Sequence, residues 1–157
     1  MSKSVLLARP HPFIVNEMRP WLETAGFSVI KPETAADVAQ RAQSCSRAVV
    51  SLALSSPVGL TPEEVVHILL KEAPSARSLF AALLPFDKAR PALEKLAHLV
   101  ATSQGGRSAS LVDIGSADTA AAAALGRNTT LAYIAKDDLA NEARRALAAK
   151  HLGRHFA

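Results

Sequence analysis

Short apolar runs alternate along the chain with longer stretches in which apolar residues recur every three or four positions. The runs are Ser4–Ala8, Ser28–Ile30, Ala48–Leu54, Ser78–Leu84, Ser110–Ile114 and Thr130–Ala135. Each is short and mostly apolar on both faces, the pattern of parallel strands covered by helices on either side. The stretches between them carry helix punctuation. Thr61-Pro62-Glu63-Glu64 reads as a capping box with proline at the first helical position. Thr34 with Asp37 is a weaker version, and Asp87, Ser116 and Asp138 are further N-cap candidates. Gly26, Gly126 and Gly153 stand where left-handed C-terminal caps would end helices. Pro20 falls inside the first predicted helix, Phe13–Ala25, and should bend it. The alanine run Ala120–Ala124 predicts a slim helix over Ala117–Leu125 that permits close packing. Alternation of strand and helix with no dividing linker predicts one α/β domain over residues 1–157, a doubly wound parallel sheet of five strands with a sixth β-α unit.

Composition narrows the class. The chain has 157 residues, 49% of them hydrophobic and 20% charged, which is a globular composition. Its uncharged stretches contain Ser, Pro and Gly and do not reach the ~20 apolar residues of a membrane span. The opening MSKSVLLARPHP lacks the apolar core of a signal peptide. Cys45 is the single cysteine, which excludes an internal disulfide and fits a reducing cytoplasm. The net charge is +4, but the basic residues are scattered and the few aromatics are not interleaved with them. Direct nucleic-acid binding is therefore not expected.

Candidate chemistry is sparse. Gly105-Gly106-Arg107 follows a predicted helix and is no phosphate-binding fingerprint. Asp113 and Asp118 flank a strand-to-helix turn, where Asp118 reads as an acid complementing the helix dipole. His151 and His155 have a metal-compatible spacing, but Gly153 should end the helix between them. No nucleophile elbow is present, and neither an enzyme nor a cofactor is expected. In an open parallel sheet, ligands bind beyond the carboxyl ends of the strands. That rim holds Arg9, His11, Ser55, Ser56 and Lys136, which together could take an anion.

Four segments resemble the response-regulator receiver domain, a flavodoxin-like fold. VLLARPHPFIVNEMRPWLETAGFSVI resembles its first β-α unit, RAVVSLALSSP its third strand, APSARSLFAALL its fourth, and LAYIAKDDLANEARRALAAKHLG its last strand and helix. The resemblance places the family's acidic pair on Arg9 and Pro10, its phospho-acceptor aspartate on Ala53 (with Pro57 fixing the register) and its strand-four hydroxyl on Ala82 or Leu83. Its lysine and switch aromatic fall on Lys136 and Tyr133, which are retained. The resemblance thus implies a degenerate receiver with neither Mg²⁺ ligands nor a phosphorylation site. Leu84 to Thr130 is about one unit too long for the family: either Ser110–Ile114 joins the sheet or the stretch is an irregular insertion. A second register places the family's fourth strand at Ser110–Ile114.

The implied function is a phosphorylation-independent regulatory module in signal transduction or transcription control. It is expected to dock a protein partner in trans, or to form a homodimer, through the last two β-α units, with Tyr133, Arg144, Arg145 and the helix Asp138–Leu152 at the surface. The alternative is a sensor of an anionic small molecule or nucleotide at Arg9, His11 and Lys136.

Overall fold

Strands form where sequence offers apolar side chains to both faces, and the sheet consumes all six predicted runs. The computed structural model describes residues 3–53, 59–106 and 108–157. The strands are β1 (Lys3–Arg9), β2 (Phe27–Ile30), β3 (Arg47–Ser51), β4 (Arg77–Ala82), β5 (Ser110–Asp113) and β6 (Thr130–Ala135). They form one sheet in the order β2-β1-β3-β4-β6-β5, with every pairing parallel. The extra unit thus joins the sheet: β5 is an edge strand, and the final strand β6 inserts between it and β4. Leu54, the predicted end of the third strand, and Pro57 lie outside the described residues.

Side chains alternate between faces along each strand, and two cores result. Val5, Leu7, Val49, Leu79, Ala132 and Ile134 pack on one side against α1 (Arg19–Thr24), α5 (Thr119–Ala122), α7 (Glu142–His155) and the π-helical turn Ile14–Met18. Leu6, Ala8, Val50, Phe80, Leu131 and Tyr133 pack on the other against α2 (Ala35–Ala42), α3 (Pro62–Glu72) and α4 (Phe86–Ser103). A short helix, α6 (Lys136–Ala140), follows β6 directly. Coverage of both faces is the doubly wound architecture, and it explains why the strands lack polar alternation. Among the described residues, no helix is long and apolar enough to cross a membrane.

Local signals act as read, with instructive exceptions. The Thr61 hydroxyl accepts from the Glu64 N–H at 3.1 Å while the Glu64 carboxylate accepts from the Thr61 N–H at 3.0 Å. That pair closes the capping box and holds the Glu64 carboxyl below the usual carboxylate range. Gly26 follows the end of α1 with a positive φ of 97°, as a left-handed cap requires; Gly126 has a positive φ of 91° but lies in the turn after α5, beyond the end of that helix. Gly153 ends no helix: α7 runs through it to His155. Pro20 falls inside the first helix, as expected, just past the π-helical turn Ile14–Met18: the chain stays helical through Met18 into α1, and the regular hydrogen-bond pattern is interrupted in the turn before the proline. The helix predicted over Asp138–Leu152 breaks at Asn141, whose side chain accepts from the Arg144 N–H at 3.0 Å and caps α7. The alanine run gives a single helical turn, Thr119–Ala122, in place of the expected Ala117–Leu125 helix. Asp118 caps that turn, and its carboxylate accepts from the Ala121 N–H at 2.8 Å.

Candidate functional site

Ligand crevices in open α/β sheets lie beyond the strand carboxyl ends, where neighbouring strands send their helices to opposite faces. Apart from the β2/β1 pair at the sheet edge, this sheet has two such places. β1 sends α1 to one face while its neighbour β3 sends α3 to the other. β4 sends α4 to the second face while its neighbour β6 sends α7 to the first.

The first crevice is spanned by Arg9. The β1–β3 register shifts between Leu7 and Arg9, a bulge at the strand end. Bulges re-aim side chains, and this one leaves Arg9 only 1% exposed. Its Nε donates to the Leu60 carbonyl at 2.6 Å, and its Nη1 donates to the carbonyls of Ser51 at 2.7 Å and Ala53 at 2.5 Å. The guanidinium therefore ties β1 to the end of β3 and to the segment entering α3. Burial pulls the Arg9 pKa below its ordinary value, and the field of Glu63 opposes that; an arginine still stays charged in a protein. Ser51 turns its hydroxyl inward to accept from the Ala53 N–H at 3.0 Å.

His11 and Lys136 have partners of their own. His11 Nδ1 accepts from the Phe13 N–H at 3.2 Å. The Lys136 ammonium lies 3.9 Å from the Glu17 carboxylate, and both side chains are half exposed. Pro10 is buried, and Ala82 ends β4 in register with Ala135. Ser55 and Ser56 lie outside the described residues. Arg9 and Ala53 are thus brought together directly, whereas Lys136 is matched to a carboxylate from the π-helical turn.

The second crevice is closed by Tyr133. The expectation of a surface tyrosine is corrected: Tyr133 is fully buried. Its hydroxyl donates to the Leu84 carbonyl, and its ring lies 5.9 Å from that of Phe86. Burial, and then the nearby Asp113 and Asp138, push the phenol pKa up. Beside it lies a cavity of about 160 Å³ bounded by Pro85 and Phe86 on one side and by Asp113, Asp137, Asp138 and Arg144 on the other. Asp113 accepts from the Gly115 N–H at 3.2 Å and the Ser116 hydroxyl at 2.9 Å, while burial raises its carboxyl above the usual range. Asp138 is buried; its carboxylate accepts from the Ala135 N–H at 3.0 Å and lies 3.9 Å from the Arg144 guanidinium. Arg144 and Arg145 themselves are exposed on α7, as expected.

Gly115 makes this packing possible. Its backbone lies so close to Asp138 that an added Cβ would overlap the carboxyl group. Gly115→Ala is therefore expected to destabilise the fold by about 2 kcal/mol, the scale of overpacking in a closed site. Urea denaturation measures it, and Gly115→Ala combined with Asp138→Ala should lose much less than the sum. The glycine in Asp113-Ile114-Gly115-Ser116 was the sequence signal for this close approach.

The remaining candidates are structural. His151 Nδ1 is 3.0 Å from the Ile114 carbonyl. His155 Nδ1 accepts from the Gly126 N–H at 3.0 Å, so its proton sits on Nε2 and points at the Ser78 carbonyl, 3.1 Å away. The pair is one helical turn apart, but each imidazole is spent on the interior. Among the described residues, no group of three or more metal-ligating side chains converges.

The fold and rim define a doubly wound parallel α/β protein with an arginine across its first crevice and a tyrosine across its second. Compared with known protein families, with curated proteins and with solved structures, the chain matches none of them.

Proposed function

We propose that this protein is a receiver-like regulatory module that acts by docking other proteins, in signal transduction or transcription control, and does so without phosphoryl transfer. The single observation that carries the reading is Arg9. A receiver binds Mg²⁺ with carboxylates at the end of its first strand; here that position holds a fixed cation bonded to three carbonyls. A divalent cation entering the crevice would meet the like charge of Arg9 where a receiver presents carboxylates. Ala53, at the phospho-acceptor position of the resemblance, offers no nucleophile. Lys136 and Tyr133, the retained positions, have work that needs no phosphate: one pairs with Glu17 and the other braces the loop before α4. Docking falls to the exposed face of α7, where Arg144 and Arg145 present charge, with Tyr133 as an internal strut.

Titration with Mg²⁺ and beryllofluoride, followed through backbone amide resonances, tests this. Beryllofluoride mimics an aspartyl phosphate. The amides of Arg9, Ala53 and Lys136 are expected to stay in place. Saturable shifts at those positions would overturn the reading and reinstate a working phosphoryl pocket.

A further inference from the structure

Four strands begin around a single depression. β3, β4, β6 and β5 are neighbours in the sheet, and the turns that lead into them line a concavity of about 750 Å³ at their amino ends. It lies at the opposite end of the molecule from both crevices. Hydrogen bonds tie its walls to one another. The Arg77 N–H donates to the Ser46 carbonyl at 3.0 Å, joining the turns before β4 and β3. The Asn128 side-chain amide donates to the Pro74 carbonyl at 2.9 Å, joining the turns before β6 and β4. The Ser110 N–H donates to the Thr129 carbonyl at 3.0 Å, joining β5 to the same turn. The shape is therefore preformed, which lowers the cost of binding.

The depression is lined by donors that the fold does not use. Ser46, Ser75, Ser108 and Thr129 each bring a hydroxyl, and among the described residues none of the four hydroxyls bonds to the protein. Arg127 is exposed, and its guanidinium is likewise unspent among these residues. Arg77 is partly buried; its Nη1 donates to the Ala157 carbonyl, while its Nε and Nη2 have no acceptor among the described residues. Among the described residues no carboxylate lines the depression, and the ion pairs between side chains leave Arg47, Arg77 and Arg127 unmatched. Burial, and then the neighbouring charge of Arg47, pull the Arg77 pKa down, yet an arginine stays charged in a protein. Glu72, the acidic residue nearest to Ser75 in sequence, accepts from the Gln43 amide at 2.7 Å.

We propose that this depression binds a small phosphorylated polyol, its phosphate held by Arg77 and Arg127 and its hydroxyl groups by Ser46, Ser75, Ser108 and Thr129. A guanidinium offers a phosphate two parallel N–H donors, and an arriving anion relieves the repulsion between Arg47 and Arg77. The volume is that of a metabolite site. Neither an aromatic ring nor a large aliphatic side chain is among the lining residues. A nucleobase would find no ring to stack on, and an acyl chain no apolar wall. Hydroxyl side chains, which both donate and accept, are matched instead to the hydroxyls of a polyol. The site is at the other end of the sheet from the Arg9 crevice, so beryllofluoride and this ligand report on separate surfaces.

Titration of the full chain with glycerol phosphate and with glucose phosphate, at constant ionic strength and followed through backbone amide resonances, tests it. Both esters are expected to give saturable shifts at Ser75, Arg77 and residues 126–129. Inorganic phosphate should move the same amides with about tenfold weaker affinity, since it brings no polyol hydroxyls. Glucose alone should move none of them, and AMP should bind no more tightly than inorganic phosphate. Arg127 is exposed, so Arg127→Gln should keep the native circular dichroism while weakening both esters about tenfold. Ser75→Ala with Ser108→Ala should bring the esters down to the affinity of inorganic phosphate. The absence of a saturable shift from either ester up to about 10 mM overturns the proposal. So do shifts that Arg127→Gln leaves unchanged, equal affinities for the esters and inorganic phosphate, or tighter binding of AMP than of either ester.

Discussion

Arg9→Ala should cost about 4 kcal/mol of stability, because it strands three partly or fully buried carbonyls at once. In a chain of this size that lowers Tm by on the order of 10 °C. Truncation removes the charge-assisted donors and leaves the carbonyls of Ser51, Ala53 and Leu60 facing one another across the first crevice. Arg9→Met fills the space without donating, so it should recover packing and little else. Arg9→Lys carries the charge but lacks the planar fork that reaches two elements at once, and should recover about half of the loss. The acceptors are carbonyls and not carboxylates, so the effect should be nearly the same at low and high salt. Thermal and urea denaturation of the three variants measure the series. A cost under about 1 kcal/mol for Arg9→Ala would mean that water satisfies the crevice and that the arginine is no lock.

The same residue shows where sequence reading stops. Val5, Leu6 and Leu7 announce a buried strand by their character alone, and Thr130–Ala135 is a strand with the predicted limits. Both are local facts. Arginine, by contrast, is a surface residue by default. Its burial here depends on a bulge in β1 and on carbonyls that topology brings from 42 to 51 positions along the chain. Tyr133 was misplaced for the same reason. Its hydroxyl partner is 49 positions away, in a loop whose path follows from the insertion of β6 between β4 and β5. Nothing local in Thr130–Ala135 encodes that neighbour. The alanine run shows tertiary demand overriding propensity: the chain must turn at Gly126 to enter β6, and the Thr130 hydroxyl donates to the Ala124 carbonyl at 2.6 Å to make that turn. Gly153 shows the converse. A glycine that could end a helix does not, because His155 and Phe156 beyond it are both fully buried.

His155 gives the second large effect, and its sign follows from its two neighbours. Burial, first, and the positive field of Arg77 lower its pKa from 6.5 to about 4, against the opposing pull of its bond to the Ser78 carbonyl. Protonation would also place a new Nδ1–H against the Gly126 N–H, where now a lone pair accepts. The unfolded chain therefore takes up this proton at a higher pH than the folded one. The stability contributed is fully present above pH 6.5 and is lost as pH falls towards about 4. At 1.36 kcal/mol for each pH unit the loss comes to about 3 kcal/mol. Carboxylates titrate at the acid end of the same window, so the informative quantity is a difference between proteins. His155→Gln keeps a donor and an acceptor but cannot take the proton. Its stability deficit relative to wild type should be constant at neutral pH and shrink steadily as the pH drops through the window, since only the wild type is being protonated there. Urea midpoints at a series of pH values measure both curves. Parallel curves would mean that the imidazole titrates normally in the fold, and that the bridge between Gly126 and Ser78 contributes nothing to the acid sensitivity of this protein.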